Sequence, residues 1–271
     1  MAPLGLRIPS SRVRIRAVLA LSLALGGCQT TAESTGRSTV SGVRLDGAIS
    51  VAVPPGAAKA PVVLLLEGNG GSSRVPEHWS EFFTKRGIAV VQIHSARARG
   101  RANWGGTGCG LQYNTDPRTA LELLKDRPEI DVSRFAIMGF SRGGTEALNS
   151  GSAFAGDATL PAAVFSFYPG CSGFCATDWP RRSDAVPVTI FYGGADMWGA
   201  QDGNRGSCRR QAGGSVAYHE FPGAHHGFDA PWQGSFGAGG GVFRFEPHPA
   251  ARAAADAIIL DVLAKAWGTP K

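Results

Sequence analysis

Ser141 stands in Gly139-Phe140-Ser141-Arg142-Gly143, directly after the apolar run Phe135 to Met138 and directly before a helix-forming segment, Thr145 to Asn149. Strand, glycine-flanked serine, helix is the local order of a nucleophile elbow. The serine of such a turn sits in a strained conformation where a Cβ at minus two or plus two would clash, which explains the glycines. The turn lifts the hydroxyl above the sheet edge, beside the N–H groups of a helix N-terminus that favour a developing oxyanion. Gly-x-Ser-x-Gly also occurs as an ordinary glycine-rich turn, so the reading depends on partners elsewhere in the chain.

A serine hydroxyl is almost wholly protonated at neutral pH, so acyl transfer needs a base, and the base needs an orienting carboxylate. Past Ser141, the apolar run ending at Tyr192 leads into Gly193-Gly194-Ala195-Asp196. The run ending at Phe221 leads into Pro222-Gly223-Ala224-His225-His226-Gly227-Phe228. Serine, then acid, then histidine, each after a strand, is the order that brings all three to one sheet edge. Asp196 has the alternative reading of a turn residue or helix cap, with Asp184 and Asp202 as reserves. His225 and His226 both qualify as the base. Neighbours on an extended loop point apart, which argues against a joint metal site.

The elements that must position these residues alternate. Pro61 to Leu66 is a continuous apolar run, expected for a strand buried on both faces. A helix is predicted from Glu77 to Arg86, with Trp79, Phe82 and Phe83 on one stripe and Gly87 as a left-handed C-terminal cap. Ile88 to Ile93 reads as strand, and Asp116-Pro117 opens a helix with Asp116 as its capping side chain. After the elbow come strands at Ala163 to Tyr168, Val186 to Tyr192 and Ser215 to Phe221. A final helix, Pro249 to Trp267, is expected to face inward with Ala254, Ile258, Val262 and Leu263. This is an α/β order, implying a mostly parallel sheet with helices on both faces and functional loops beyond the carboxyl ends of the strands.

The first residues carry Arg7, Arg12, Arg14 and Arg16 without an acid, then an apolar stretch from Ala17 to Leu25, then Leu25-Gly26-Gly27-Cys28. The apolar stretch is too short to span a ~30 Å hydrocarbon core as a helix. The pattern reads as a lipoprotein signal over residues 1–27, with Cys28 as the lipidated N-terminus, a short tether over 28–45, and a single domain over 46–271. The expected location is the bacterial envelope, anchored in the outer membrane, since Gln29 gives no retention signal of the aspartate type. Loss of the four signal arginines takes the formal charge of +6 down to +2. The high pI therefore belongs largely to the signal, and no nucleic-acid partner is implied. With Cys28 set aside, Cys109, Cys171, Cys175 and Cys208 remain. In an exported protein they suggest two disulfides with three possible pairings, whereas Cys171 and Cys175 lack the second ligand pair of a metal site.

Taken together, Gly139 to Gly144, Asp196 after Gly193-Gly194-Ala195, and Phe221 to Phe228 resemble the dienelactone hydrolases, a family of the α/β-hydrolase fold. The resemblance spans about Val62 to Trp267 and implies a serine hydrolase of carboxylic esters or lactones that needs no cofactor or metal and takes a small-molecule substrate. In that family the histidine directly precedes a Gly-Phe or Asp-Phe pair, which selects His226 over His225. The exported branch carries cysteines near Tyr168-Pro169-Gly170-Cys171 and near Cys208, which implies a Cys171–Cys208 bridge and leaves Cys109 with Cys175. Backbone N–H groups of Asn69 and Arg142 would form the oxyanion hole. The family usually has His-Gly or His-Glu where this chain has Glu67-Gly68, and dienelactone-opening members use cysteine where this chain has Ser141.

The loop Ser95-Ala96-Arg97-Ala98-Arg99-Gly100-Arg101 follows a strand. If extended, it would present its arginines on one side. Dienelactone hydrolases use an arginine in the corresponding loop, so the resemblance has Arg97 or Arg99 grip a substrate carboxylate, with Trp104, Trp179, Trp198 or Trp232 as apolar walls; the other reading is a solvated basic loop. Two other functions fit parts of the pattern. One is a non-catalytic envelope lipoprotein that keeps the fold as a binding module, against which the complete Ser-Asp-His set speaks. The other is a peptidase related to the prolyl oligopeptidases, weakened by the missing propeller or large cap domain.

Overall fold

The computed structural model describes residues 43–71, 77–105, 113–154, 156–172, 186–201, 203–238 and 241–268. The signal, Cys28, Cys109, Cys175, Trp179, Asp184 and Asp202 lie outside the described residues. The chain folds around a seven-stranded sheet: β1 (Ile49–Ala52), β2 (Ala60–Leu66), β3 (Ala89–Ile93), β4 (Ile130–Phe140), β5 (Val164–Phe167), β6 (Val188–Gly193) and β7 (Val216–Phe221), in the order β1-β3-β2-β4-β5-β6-β7. β1 runs antiparallel to β3 and every other pair is parallel. The chain therefore has the α/β architecture that the alternation of elements implies.

The apolar runs explain this order. β2 lies between β3 and β4 and pairs Leu64 with Val91 on one side and Ile137 on the other. Val62 to Leu66 are all buried, as a strand covered on both faces requires. Helices α1 (His78–Thr84), α3 (Asp116–Leu124), α4 (Arg142–Ala153) and α7 (Pro249–Trp267) follow or cover these strands. The first delivers Trp79 and Phe83 to the core, and Gly87 at φ 73° turns the chain back into β3.

Several elements depart from the sequence reading. α2 (Ser95–Ala98) replaces the expected extended arginine loop. Asp116 does not cap α3, since Thr115 holds that position without a side-chain bond. The buried row of α7 is Ala251, Ala255, Ile259 and Leu263, with Ala254 exposed. Apolar residues fill the adjacent row as well, at Ala254, Ile258 and Val262, so periodicity alone points to neither face. A two-stranded hairpin, β8 (Gly234–Ala238) with β9 (Gly241–Phe245), pairs Phe236 with Phe243 and forms a separate sheet. It was not foreseen, because its glycine-rich strands lack the usual apolar alternation.

Candidate active site

Ser141 falls between β4 and α4 at φ 55°, in the left-handed region. A non-glycine residue held there costs of order 1–3 kcal/mol, so the surroundings must impose it. They do so through close backbone approach. A Cβ on Gly139 would collide with the Gly143 carbonyl oxygen, and one on Gly143 with the carbonyl oxygens of Leu66 and Glu67. The Ser141 N–H donates to the Phe167 carbonyl at 2.9 Å, and the Ser141 carbonyl accepts from the Thr145 N–H at 3.1 Å, which starts α4. These contacts realise the strand-turn-helix order of the sequence and fix the hydroxyl at the sheet edge.

Asp196 lies one turn beyond β6 and is 1% exposed. Its carboxylate makes a hydrogen bond of each kind that the sequence suggests. Its Oδ2 accepts from His226 Nδ1 at 2.7 Å, while Oδ1 accepts the Trp198 N–H at 3.0 Å and so starts α5 (Met197–Gln201). With Nδ1 donating to the carboxylate, Nε2 is left as the acceptor of the ring. His226 reaches this position on the loop after β7, between Gly223 at φ 76° and Gly227 at φ 70°. His225 points elsewhere, Nδ1 donating to the Ala195 carbonyl at 3.1 Å and Nε2 lying 4.0 Å from Glu246.

Two aromatic rings pack against the imidazole. Tyr168 and Trp198 each place a ring 4.4 Å from that of His226. Tyr168 itself adopts φ 41° just after β5, and its hydroxyl donates to Asp229 at 2.6 Å. Asp229 also accepts from Trp79 Nε1 at 3.0 Å, and its carbonyl accepts from Arg252 at 3.0 Å. Burial, opposed by those donors, pushes the Asp229 carboxyl above the usual carboxylate range. Burial, and then the neighbouring Asp229, pushes the Tyr168 phenol well above its usual value. Neither Tyr168 nor Asp229 was singled out as a site residue in the sequence. The signal available was a tyrosine ending a strand and an acid three residues beyond the histidine.

Ser141, His226, Asn69, Tyr168 and Trp198 line one cleft of about 270 Å³, with Trp232 and Phe245 on its wall. Among the described residues no hydrogen bond joins Ser141 to His226. Gly68 brings the loop carrying Asn69 against the elbow: a Cβ there would lie 3.0 Å from the Phe140 carbonyl oxygen and 3.5 Å from Ser141 Cβ. Glu67, which stands where the family has histidine, is turned away from the cleft. Its carboxylate accepts from the Ala96 N–H at 2.6 Å and from Trp104 Nε1 at 3.0 Å, and its carbonyl accepts from the Tyr113 hydroxyl at 2.9 Å. Trp104 in turn donates its backbone N–H to the Asn69 carbonyl at 2.9 Å, so the acid braces the Asn69 loop from behind. The Arg142 guanidinium is buried with it, 4.8 Å from the Trp104 ring centroid.

Arg97 and Arg99 do not line the cleft. Arg97 donates to the Gly47 carbonyl at 2.8 Å. Arg99 forms two hydrogen bonds, at 2.8 and 2.9 Å, with Asp116, whose carboxylate is 1% exposed. Because α2 is helical, the two arginines no longer share a side, and the bidentate pair with Asp116 uses the fork that was assigned to a substrate carboxylate. Trp104 is likewise a buried support, whereas Trp198 and Trp232 do face the cleft. Cys171 is bridged to Cys208, with Cα atoms 5.2 Å apart, tying the loop after Tyr168 to α6 (Asn204–Arg209). Among the described residues no group of three or more His, Cys, Asp or Glu side chains is placed to hold a metal ion.

Known structures share this architecture. A dienelactone hydrolase-like promiscuous phosphotriesterase from metagenomic libraries superposes with a TM-score of 0.59 at 18% identity, covering 81% of this chain and 99% of its own. Esterase 2 of Thermogutta terrifontis, phosphorylated by paraoxon, does so with a TM-score of 0.57 at 16% identity, covering 82% and 90%. Its propionate-bound form gives 0.54 at 18% identity, with 82% and 90% covered. These likenesses concern the fold, and no curated protein matches in sequence. A profile of the dienelactone hydrolase family, in contrast, matches residues 104–265, more than half of the chain and inclusive of Ser141, Asp196 and His226. The chain belongs to the dienelactone hydrolase family, and it is a hydrolase that acts on ester bonds.

Proposed function

We propose that the protein cleaves carboxylic esters or lactones through an acyl-enzyme on Ser141. The observation that carries this reading is the 2.7 Å hydrogen bond between the buried Asp196 and His226, which lines the same cleft as Ser141. Ser141 Oγ attacks the carbonyl carbon as its proton passes to His226 Nε2, and Asp196 stabilises the imidazolium without taking the proton. The tetrahedral oxyanion accepts from the backbone N–H groups of Asn69 and Arg142. Collapse expels the alcohol, which leaves with the proton from His226. Water, deprotonated by the same histidine, then attacks the acyl-enzyme to release the acid and restore Ser141.

That Thermogutta terrifontis esterase 2 is phosphorylated by paraoxon supports testing this chain with phosphorus esters as well as with carboxylic esters. The direct test is turnover of a simple neutral ester by wild type and Ser141→Ala. A loss of several powers of ten supports the reading, and equal rates refute it.

Cys28 is proposed as the site of a lipid anchor that holds the enzyme on the outer membrane. Its support is the sequence alone: a basic start, a short apolar stretch and a small-residue approach to cysteine. No helix among the described residues is long and apolar enough to cross a membrane. Acyl mass on the N-terminal peptide of protein from the native host tests it, and a soluble mature form without acyl mass refutes it.

A further inference from the structure

Trp198, Trp232 and Phe245 turn aromatic surface into the cleft, and none of them is fully buried. The wall is built rather than incidental. Trp232 and Phe245 lie with ring centroids 4.8 Å apart, and Trp198 packs on Phe245 at 5.4 Å and on Phe243 at 4.4 Å. The hairpin is fixed to the histidine loop by a backbone bridge between His226 and Phe245. Gly227 is what lets the rings come so close, because a Cβ there would meet Phe245 Cδ1 at 3.1 Å and Trp232 Cη2 at 3.2 Å. Wet aromatic surface of this kind is stabilised when a flat apolar group covers it.

Two carboxylates stand behind the described lining of the cleft. Asp196 lies behind His226, and Asp229 lies behind Tyr168. Arg252, which donates to the Asp229 carbonyl at 3.0 Å, pairs its side chain with Asp256 at 2.6 Å and stacks over Trp79, and it does not line the cleft. Among the described residues that line the cleft none is Lys or Arg, and the two arginines of α2 are engaged elsewhere. A carboxylate entering this space would give up water without gaining a cation, whereas an uncharged ring would give up little.

Resting on the assignment of Ser141 as nucleophile, we propose that the cleft selects uncharged esters bearing a flat aromatic group, seated against Trp232 and Phe245, and disfavours esters bearing a carboxylate. At about 270 Å³ the space is just below the ordinary range of ligand sites, about 300–1,000 Å³, which suits a single ring system. Offset or edge contacts between rings add roughly threefold to tenfold over an aliphatic group of like size.

The experiment compares kcat/KM for methyl phenylacetate, methyl cyclohexylacetate and methyl 4-carboxyphenylacetate, in which the methylene keeps the intrinsic reactivities close. Benzyl and cyclohexylmethyl acetates repeat the aromatic comparison with the ring on the alcohol side. The expected order is aromatic over saturated by about threefold to tenfold on at least one side of the ester, with the carboxylate slower than the neutral aromatic ester by tenfold or more. Trp232→Ala is expected to bring the aromatic-to-saturated ratio close to one, and Trp232→Leu, which keeps apolar bulk, to do the same with less risk to folding. A carboxylate cleaved as fast as its neutral counterpart overturns the inference, as does a ratio that survives both variants. Fluorophosphonate labelling run beside the kinetics separates two failures. Labelled Ser141 with the wrong preference overturns this inference alone, and unlabelled Ser141 overturns the nucleophile assignment with it.

Discussion

The Tyr168 hydroxyl donates to the buried Asp229 carboxylate at 2.6 Å, while the Tyr168 ring packs 4.4 Å from that of His226. One side chain thus joins the candidate cleft to a carboxylate inside the protein. Tyr168→Phe keeps the ring but deprives Asp229 of a donor, and should cost about 1–3 kcal/mol in stability with less than a tenfold change in kcat. Tyr168→Ala removes the ring as well and should lower kcat further at similar KM. Denaturant titration and steady-state kinetics on both variants check this. Unchanged kcat in Tyr168→Ala would show that the ring packed on His226 has no part in turnover.

The divergence of the two histidines gives a paired test. His226→Ala should lose several powers of ten in kcat if, as proposed, this ring takes the serine proton. His225→Ala should keep most turnover, since its ring is bonded to the Ala195 carbonyl. Asp196→Asn should fold and be poorly active, the amide still accepting the Trp198 N–H that starts α5. Two equally inactive histidine variants would reverse the assignment of the base.

His78 supplies a pH dependence. Its pKa is lowered from 6.5 to about 3, first by burial and then by the Arg252 charge. Between those values the unfolded chain binds more protons than the native one, so this group's stabilisation is present above pH 6.5 and is lost as pH falls toward about 3. Burial raises Asp229 and acts in the opposite sense, which makes a difference measurement necessary. His78→Gln should therefore lose less stability than wild type between pH 7 and pH 4, read by thermal melting at each pH. Parallel curves would contradict the assignment.

The Cys171–Cys208 bridge closes a segment with a sequence separation of 37 and anchors the loop that follows Tyr168. Its removal, by reduction or as Cys171→Ser with Cys208→Ser, should cost ~2–5 kcal/mol. Activity should fall with it as Tyr168 loses its support. Denaturant curves with and without reductant check this, and coincident curves would refute it.

The loops that carry Ser141, Asp196 and His226 were legible because each of their sequence features has a steric or chemical cause. Gly139 and Gly143 are small because carbonyl oxygens occupy the space of a Cβ, and Asp196 and His226 each follow an apolar run that becomes a strand. β2 was legible because both its faces are buried, leaving no polar position along it. What was missed depends on tertiary partners. Arg99 points to Asp116 only once α2 and α3 meet, and Glu67 is satisfied by Ala96 and Trp104 from another loop. The β8–β9 hairpin carries glycine where an alternating strand would carry apolar residues, so its role as a cleft wall shows only when Phe243 and Phe245 meet Trp198. In α7 two adjacent apolar rows compete, and packing into the core decides between them.

Whether Ser141 is the nucleophile is tested most directly by treating the purified protein with a fluorophosphonate and mapping the adduct by peptide mass spectrometry. A single adduct on Ser141, absent from Ser141→Ala and strongly reduced in His226→Ala, is the expected result. An adduct on another residue, or equal labelling of wild type and Ser141→Ala, would contradict it.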